Sequence, residues 1–462
     1  PLLYKLRLAG AAEQRTGLSL LKPGHSGMLS VVGTPWETVV DSKLLWIIRQ
    51  SLKKVWVRVV GFAAFAVLTV ALAPLLARLV PTQFGMSLGN VPVDKILTIL
   101  ASSMLAVTTF SLSIAVSAFA AASGNATPRA SALLQEDPTT QNVLATFLGA
   151  FLFSLIGLIA LRTDFFDGST QVFLFLATLV VVTLVIAALL RWISHLMSFG
   201  RMSDTLDRVE RAAAHSLEQR LANPYLGGKP LPGEVPADAA PVTSALTGYV
   251  QHVDVKALAE CADELGAELY LAVLPGSFVH AAAELLRVRG SAANEAQVGA
   301  LRRAFTLGAE RSFDQDPRFG LIVLSEIASR ALSPAVNDPG TAIGVIGRLV
   351  RILSCWAERT APAVDYPAVH VPPVRSAELM SDAFRPIARD GAALFEVQMR
   401  LHKALDALSR IAPTPFAPSA VELSAFALER AAAAGMSETE RSVLEGVAVG
   451  SGRAGNTDHN AA

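Results

Sequence analysis

Residues 98–124 read TILASSMLAVTTFSLSIAVSAFAAASG. From Ile96 to Gly124 there is no Asp, Glu, Lys, Arg or His, and hydroxyl side chains recur throughout. Thr98, Ser102, Ala106, Thr109, Ser113 and Ser117 advance by steps of four, four, three, four and four. At about 100° per residue they share one helix face about 100° wide. Ser103, Thr108 and Ser111 fall off that arc. An uncharged helix of this length crosses about 30 Å of hydrocarbon. Two roles fit its hydroxyl face. Small hydroxyl residues let helices approach closely and hydrogen-bond across the contact. Alternatively, the face lines a polar path, where hydroxyls replace part of a solute's hydration shell. The lack of an ionisable residue argues against proton coupling, which leaves packing or a passive path.

Working outward, three more apolar runs surround this one: Val55–Val80, Val143–Leu161 and Val172–Ile193. With Ile96–Ser123 they predict four transmembrane helices. Arg58 and Arg78 near the ends of the first run can snorkel to headgroups. Charged residues are 17% of the chain, below the ~25% of soluble domains, and mean hydropathy is +0.45. Charges are sparse from Gly61 to Ile193 and frequent after Arg201. The chain thus divides into a membrane part of roughly 140 residues and a water-facing part of roughly 260. With 39 basic and 39 acidic residues the net charge is zero, so no nucleic-acid partner is expected.

Lys43, Arg49, Lys53 and Lys54 precede the first run with Arg58 at its start, and Arg191 at the end of the fourth is followed by Arg201, Arg208 and Arg211. The positive-inside rule then places both termini in the cytoplasm of a bacterial inner membrane, with 163–170 as an external turn. No secretory leader is expected, because the first long apolar run begins only near residue 55. The predicted organisation is a cytoplasmic segment 1–54 with an interfacial helix at Trp36–Ile48 as one option, and a four-span domain 55–193. A connecting helix and Pro/Gly-rich linker 194–241 follow, then a small β-rich module 242–290, a mostly helical cytoplasmic part 291–446 and a disordered tail 447–462. The fold class is therefore a multi-pass membrane protein with a cytoplasmic α+β domain.

In that domain, Met202–Leu221 carries an apolar stripe at Leu206, Val209, Ala213, Leu217 and Leu221. Strands are predicted at 246–250 running on to Val255, at Glu268–Leu274, at Phe278–Val279 and at Leu285–Val288. No lysine stands at a hairpin tip, so a lipoyl- or biotin-type carrier is not inferred. A long helix is predicted around Arg389–Ile411, a hinge at Pro413, Pro415 and Pro418, and short helices at Val421–Ala434 and Glu438–Gly446. His402 reads as a surface or packing residue. Cys261 and Cys355 lack the spacing of a redox pair or zinc site.

The densest polar cluster is GAERSFDQDPRFGLIVLSEIASRALSPAVNDPGTA, residues 308–342. Asp316 before Pro317, and Asp338 before Pro339, each read as an N-cap followed by proline at the first helical position. Glu326 and Arg330 are spaced to pair along one helix. Capping and pairing explain much of the cluster. A ligand or assembly site built from Arg311, Asp314, Asp316, Glu326, Arg330, Asn337 and Asp338 is the alternative. No cofactor is expected, although paired carboxylates could hold a divalent cation. There is no phosphate loop, no H-E-x-x-H and no nucleophile elbow. At the end of the hydroxyl run, GNATPR (124–129) stops the helix and puts Arg129 at its cytoplasmic mouth, where it anchors the orientation or attracts anions.

The stretches FSLSIAVSAFAAASGNATPR (110–129), SALTGYVQHVDVKAL (244–258) with PGSFV (275–279), and AERSFDQDPRFGLIVLSEIASRALSPAVNDPGTA (309–342) resemble a family of bacterial membrane proteins, domain of unknown function 2254. The resemblance covers roughly residues 40–430, with small departures at Ser312, Ser329, Val336 and Gly340. It implies an integral membrane protein and assigns no activity. The readings that follow are a passive ion or small-solute channel or transport-like homo-oligomer with candidate path or packing residues Thr98, Ser102, Thr109, Ser113, Ser117 and Arg129, a non-transporting scaffold or sensor, and a membrane-bound enzyme using 309–342. The lipid bilayer, a second copy of the chain and an unidentified small ion or solute are the expected partners.

Overall fold

The computed structural model describes residues 55–77, 92–125, 127–135, 137–162, 168–197, 200–358 and 363–450. The expected interfacial helix at Trp36–Ile48 and the tail from residue 451 lie outside the described residues.

The apolar runs form α1 (Val55–Ala77), α2 (Val93–Asn125), α4 (Pro138–Leu161) and α5 (Gly168–Leu196), with a short α3 (Pro128–Gln135) between α2 and α4. α4 is the centre of the bundle and packs on α1, α2 and α5. Leu97, Phe147, Phe153, Leu174 and Val181 fill the interior. Close approach comes from the glycines of α4. A Cβ on Gly149 would run into the Phe62 ring, and one on Gly157 would stand 3.0 Å from Leu97. The outer surface is apolar: Phe110, Ile159 and Leu190 are 68%, 68% and 63% exposed. Water would penalise such a belt, whereas lipid tails solvate it.

Length and apolar content single out Val93–Ala121, Pro138–Leu161, Gln171–Leu196 and also Pro339–Ala357 as long enough to span, with Val59–Leu72 as a shorter apolar stretch. Pro339–Ala357 belongs to the extramembrane core. Its Ala342, Ile346, Leu349 and Leu353 are fully buried among other helices. On its other side Arg348 reaches Asp207 at 2.6 Å, and Arg351 reaches Glu210 at 2.7 and 2.9 Å. The four spans are α1, α2, α4 and α5.

α6 (Met202–Ala222) follows α5, and its predicted stripe is buried as expected. Two sheets come next. The five-stranded one has the order β1 (Gly228–Pro230), β8 (Tyr366–Val371), β4 (Glu268–Leu271), β6 (Glu284–Arg289), β2 (Ala240–Thr243). β8 runs parallel to β1 and β4, and β6 runs antiparallel to β4 and β2. The three-stranded antiparallel sheet is β5 (Phe278–Val279), β3 (Gly248–Val253), β7 (Phe305–Gly308). α7 (Val255–Leu265) and α8 (Glu295–Arg303) join their shared core. Strands β1 and β2 arise inside the Pro/Gly-rich stretch, and β8 arrives from far along the chain. Leu269 sits opposite Val288 on one side and Val369 on the other.

The helical core comprises α6, α9 (Phe319–Ala331), α10 (Pro339–Ser354), α11 (Ser376–Asp390), α12 (Phe395–Ile411), α13 (Pro413–Ala433) and α14 (Glu438–Val447). Two expectations are corrected. The long helix around Arg389–Ile411 is broken: α11 ends at Asp390, Gly391 caps it by donating to the Ile387 carbonyl, and α12 starts at Phe395. The proline hinge is instead the start of α13. Pro413 at the first position has no intrahelical N–H partner to lose, and Pro418 removes one bond inside the helix without ending it. Of the two readings of His402, surface or packing, the structure has the second: it is fully buried, and its Nδ1 lies 2.8 Å from Ser424 Oγ.

Candidate functional site

The hydroxyl face of α2 is not consumed by the bundle. Thr98, Ser102, Ala106, Thr109, Ser113 and Ser117 are all exposed in the monomer. Four of the hydroxyls donate back into their own helix: Thr98 to the Asp94 carbonyl at 2.7 Å, Ser102 to Thr98 at 3.0 Å, Thr109 to Leu105 at 3.0 Å and Ser113 to Thr109 at 3.1 Å. This back-bonding leaves oxygen lone pairs outward and no unsatisfied proton, a face that lipid, a second copy or water can meet.

The far end of α2 is clasped by α9. A helix leaves its last carbonyls without intrahelical donors. Arg330 donates to the Gly124 carbonyl there. Four residues earlier on α9, Glu326 pairs with Arg129 at the start of α3. The predicted Glu326–Arg330 pair within α9 is therefore replaced: both side chains are drawn off the helix to partners at the end of the span. Burial pushes the Glu326 carboxyl above its usual range, against the pull of Arg129. Ala130 of α3 is fully buried in the helical core, which fastens the same joint with apolar contact.

A second joint lies at the neighbouring end of α4, and the sequence reading missed it. Asp137 is buried and caps α4 through the Thr140 N–H at 2.7 Å. It also meets His195 of α5 at 2.9 Å and Arg208 of α6 at 2.8 Å, while Arg208 reaches Asp204 at 2.8 Å. Burial would raise the Asp137 carboxyl, but the bonds from His195, Thr140 and Arg208 outweigh it and hold it below the ordinary range. Asp137-Pro138 is the same cap-and-proline signature read at 316 and 338, so a local signal for the cap was present. The partners, 58 and 71 residues away, had none.

The remaining residues of the 309–342 cluster separate. Asp316 is buried, binds Arg311 at 2.7 Å and accepts from the N–H groups of Arg318 and Phe319 at 3.1 and 3.2 Å. The expected cap is corrected: α9 starts at Phe319 with Arg318 at the N-cap position, and Asp316 instead braces the turn that leads into it. Arg220 of α6 lies close by, donates to the Gln315 carbonyl at 3.0 Å, and is pushed by burial to about 10 against the pull of Asp316. Asp314 is turned toward Ser312 at 3.0 Å rather than joining Asp316. Arg318 bridges to α11 through Asp382 at 2.7 Å and Glu378. Asn337 adopts φ +50, and Asp338 caps α10 through the Thr341 N–H at 3.0 Å. Among the described residues no three His, Cys, Asp or Glu side chains converge as a metal-binding group. Capping and helix pairing thus occupy most of these side chains, and Glu326 and Arg330 reach Arg129 and the end of α2.

The chain is 30% identical over 277 residues to an uncharacterized protein of Mycobacterium bovis and to uncharacterized proteins of two Mycobacterium tuberculosis strains. The match covers 58% of this chain and 53% of each relative, so the chain spans about half the length of the curated relatives it matches. No solved structure matches it. The model of the family described as "Predicted membrane protein (DUF2254)" matches residues 53–407, from the first span through most of the helical core. With four apolar spans joined to a mixed α/β domain, the chain belongs to the DUF2254 family of bacterial membrane proteins.

Proposed function

We propose that this protein is a passive ion or small-solute channel, or a transport-like homo-oligomer, of the bacterial cytoplasmic membrane. In this reading α2 of each copy lines the path, both termini are cytoplasmic, and the extramembrane domain regulates the path. The supporting observation is the exposed face Thr98–Ser117 on a helix whose end is held by Arg330, while Glu326 holds Arg129 of the short helix that follows. A rearrangement of α9 acts directly on the helix that carries the face. Gating on this basis requires two states that a ligand or membrane tension distinguishes.

Flux through liposomes containing the full chain tests the reading. Ions and small solutes are compared with and without osmotic tension for the parent and Ser113→Leu. The expected result is flux in the parent and a severalfold loss in the variant. No flux under any of these conditions rejects it.

A scaffold or sensor role is favoured by a different observation: four of the five hydroxyls on the face are already bonded to their own helix. Such a face can sit permanently against lipid or a partner helix. A full chain that assembles yet conducts nothing supports this second reading.

A further inference from the structure

An open cavity of about 580 Å³ lies between α9, α11 and α13. Its walls include Ser325, Glu326, Ser381, Asp382 and Arg385. Three of the four charges on its walls are engaged. Glu326 is held by Arg129, and Asp382 accepts from Arg318 at 2.7 and 3.2 Å. Arg389, also on the wall, donates twice to Asp390 at 2.6 and 2.9 Å.

Arg385 differs. Its ion pair with Glu422 is 3.6 Å long, beyond hydrogen-bond reach, and the Glu422 side chain is 75% exposed. Its guanidinium lies 4.4 Å from the centroid of the Phe426 ring, another wall of the cavity. Stacking orients the guanidinium plane and leaves its N–H fork unspent. Ser325 is 1% exposed, and its hydroxyl has no hydrogen-bond partner. A buried hydroxyl in that condition costs free energy until something bonds to it. The volume suits a small metabolite or a lipid headgroup. An oriented guanidinium fork beside hydroxyl donors matches an oxyanion, which accepts two parallel bonds and has no proton to offer.

We propose that this cavity is a binding site for an oxyanion, carboxylate or phosphate, seated on Arg385 and the Ser325 hydroxyl. Glu326 belongs both to the cavity wall and to the pair with Arg129 at the start of α3, so the site lies beside the joint at the end of the second span. The oxyanion is carried either by a free solute or by a lipid headgroup.

The test uses the full chain in detergent. Inorganic phosphate and succinate are titrated calorimetrically into the parent, Arg385→Gln, Ser325→Ala and a control on the five-stranded sheet, Arg287→Gln. Lipid phosphorus retained per chain is measured in parallel. A free-solute site gives saturable binding of at least one probe, weakened about tenfold or more in Arg385→Gln and severalfold in Ser325→Ala, with the control unchanged. A lipid site gives retained phosphorus that falls by about one per chain in Arg385→Gln. The proposal is overturned if neither probe binds and retained phosphorus is the same in all proteins, or if binding is equal in parent and variants. Arg385 is at the surface, and thermal midpoints verify folding. If Arg385→Gln unfolds, Ser325→Ala decides. Binding is read without flux, so its failure is distinct from failure of the channel reading.

Discussion

Arg330 of α9 donates a hydrogen bond to the backbone carbonyl of Gly124, in the last turn of the second span. The guanidinium supplies a donor that the helix itself lacks, and its positive charge sits at the negative end of the helix dipole. One exposed arginine thereby ties a water-facing helix to a membrane-spanning one.

Removing that tie loosens the helix end with little global effect. Arg330→Ala is expected to cost about 0.5–1.5 kcal/mol. Backbone amides at 120–125 are expected to exchange with deuterium faster, while those in the middle of α2 do not change. Exchange identical to the parent at 120–125 contradicts the clasp.

Asp137 carries more. Asn at this position still caps a helix but leaves His195 and Arg208 without the carboxylate. Asp137→Asn is expected to cost about 3–5 kcal/mol, the range for breaking a buried pair. The Asp137 carboxyl is depressed in the fold, so its contribution is complete above the ordinary Asp value near 3.9 and is lost as pH falls below it. The gap between parent and variant unfolding midpoints should therefore be wide at pH 7 and narrow progressively below about pH 4.

His402 acts in the pH window just above this one. Burial pushes its imidazole down from 6.5 to about 4, so the unfolded chain takes up a proton first. Below 6.5 the fold loses about 1.4 kcal/mol per pH unit from this residue until its folded value is reached. Denaturation of the full chain between pH 7 and pH 4 should show a shallower acid slope for His402→Gln than for the parent. Parallel slopes refute the assignment.

Two glycines are set by helix contact rather than by backbone angle. A Cβ on Gly320 of α9 would meet Ala213 of α6, whose Cα lies only 2.7 Å away, and one on Gly149 would meet Phe62 of α1. Neither contact is with the flexible end of a side chain: Ala213 presents backbone, and Phe62 presents its Cβ at 2.6 Å, which turning the ring does not move. Gly320→Ala and Gly149→Ala are each expected to cost about 1–3 kcal/mol, as measured by thermal midpoints in one detergent.

The spans, the switch from apolar to charged sequence at Arg201, the buried stripe of α6 and the cap at Asp338 were legible from residue order. Each depends on near neighbours: an uncharged run long enough for a bilayer, a period of 3.6, or an acidic residue before a helix. Strands β1, β2, β7 and β8 were not legible. They are short, and β8 pairs with β4 across about a hundred residues of chain, where no local pattern marks the partner. The break at Gly391 was misjudged because glycine alone does not say whether a helix bends or ends.

The same division runs through the site. The hydroxyl spacing on α2 needed only periodicity, and residue order alone established that Thr98 to Ser117 share a face. Which way that face looks depended on where α4 packs, and the small-residue contacts of the bundle fell to Gly149 and Gly157 instead. Glu326 and Arg330, spaced to pair with each other, were claimed by Arg129 and the Gly124 carbonyl once folding brought α9 to the membrane joint. Spacing along a helix determines which side chains can meet. Tertiary structure decides which do, because an unsatisfied carbonyl at a helix end, or a charge from another element, competes for the same donor.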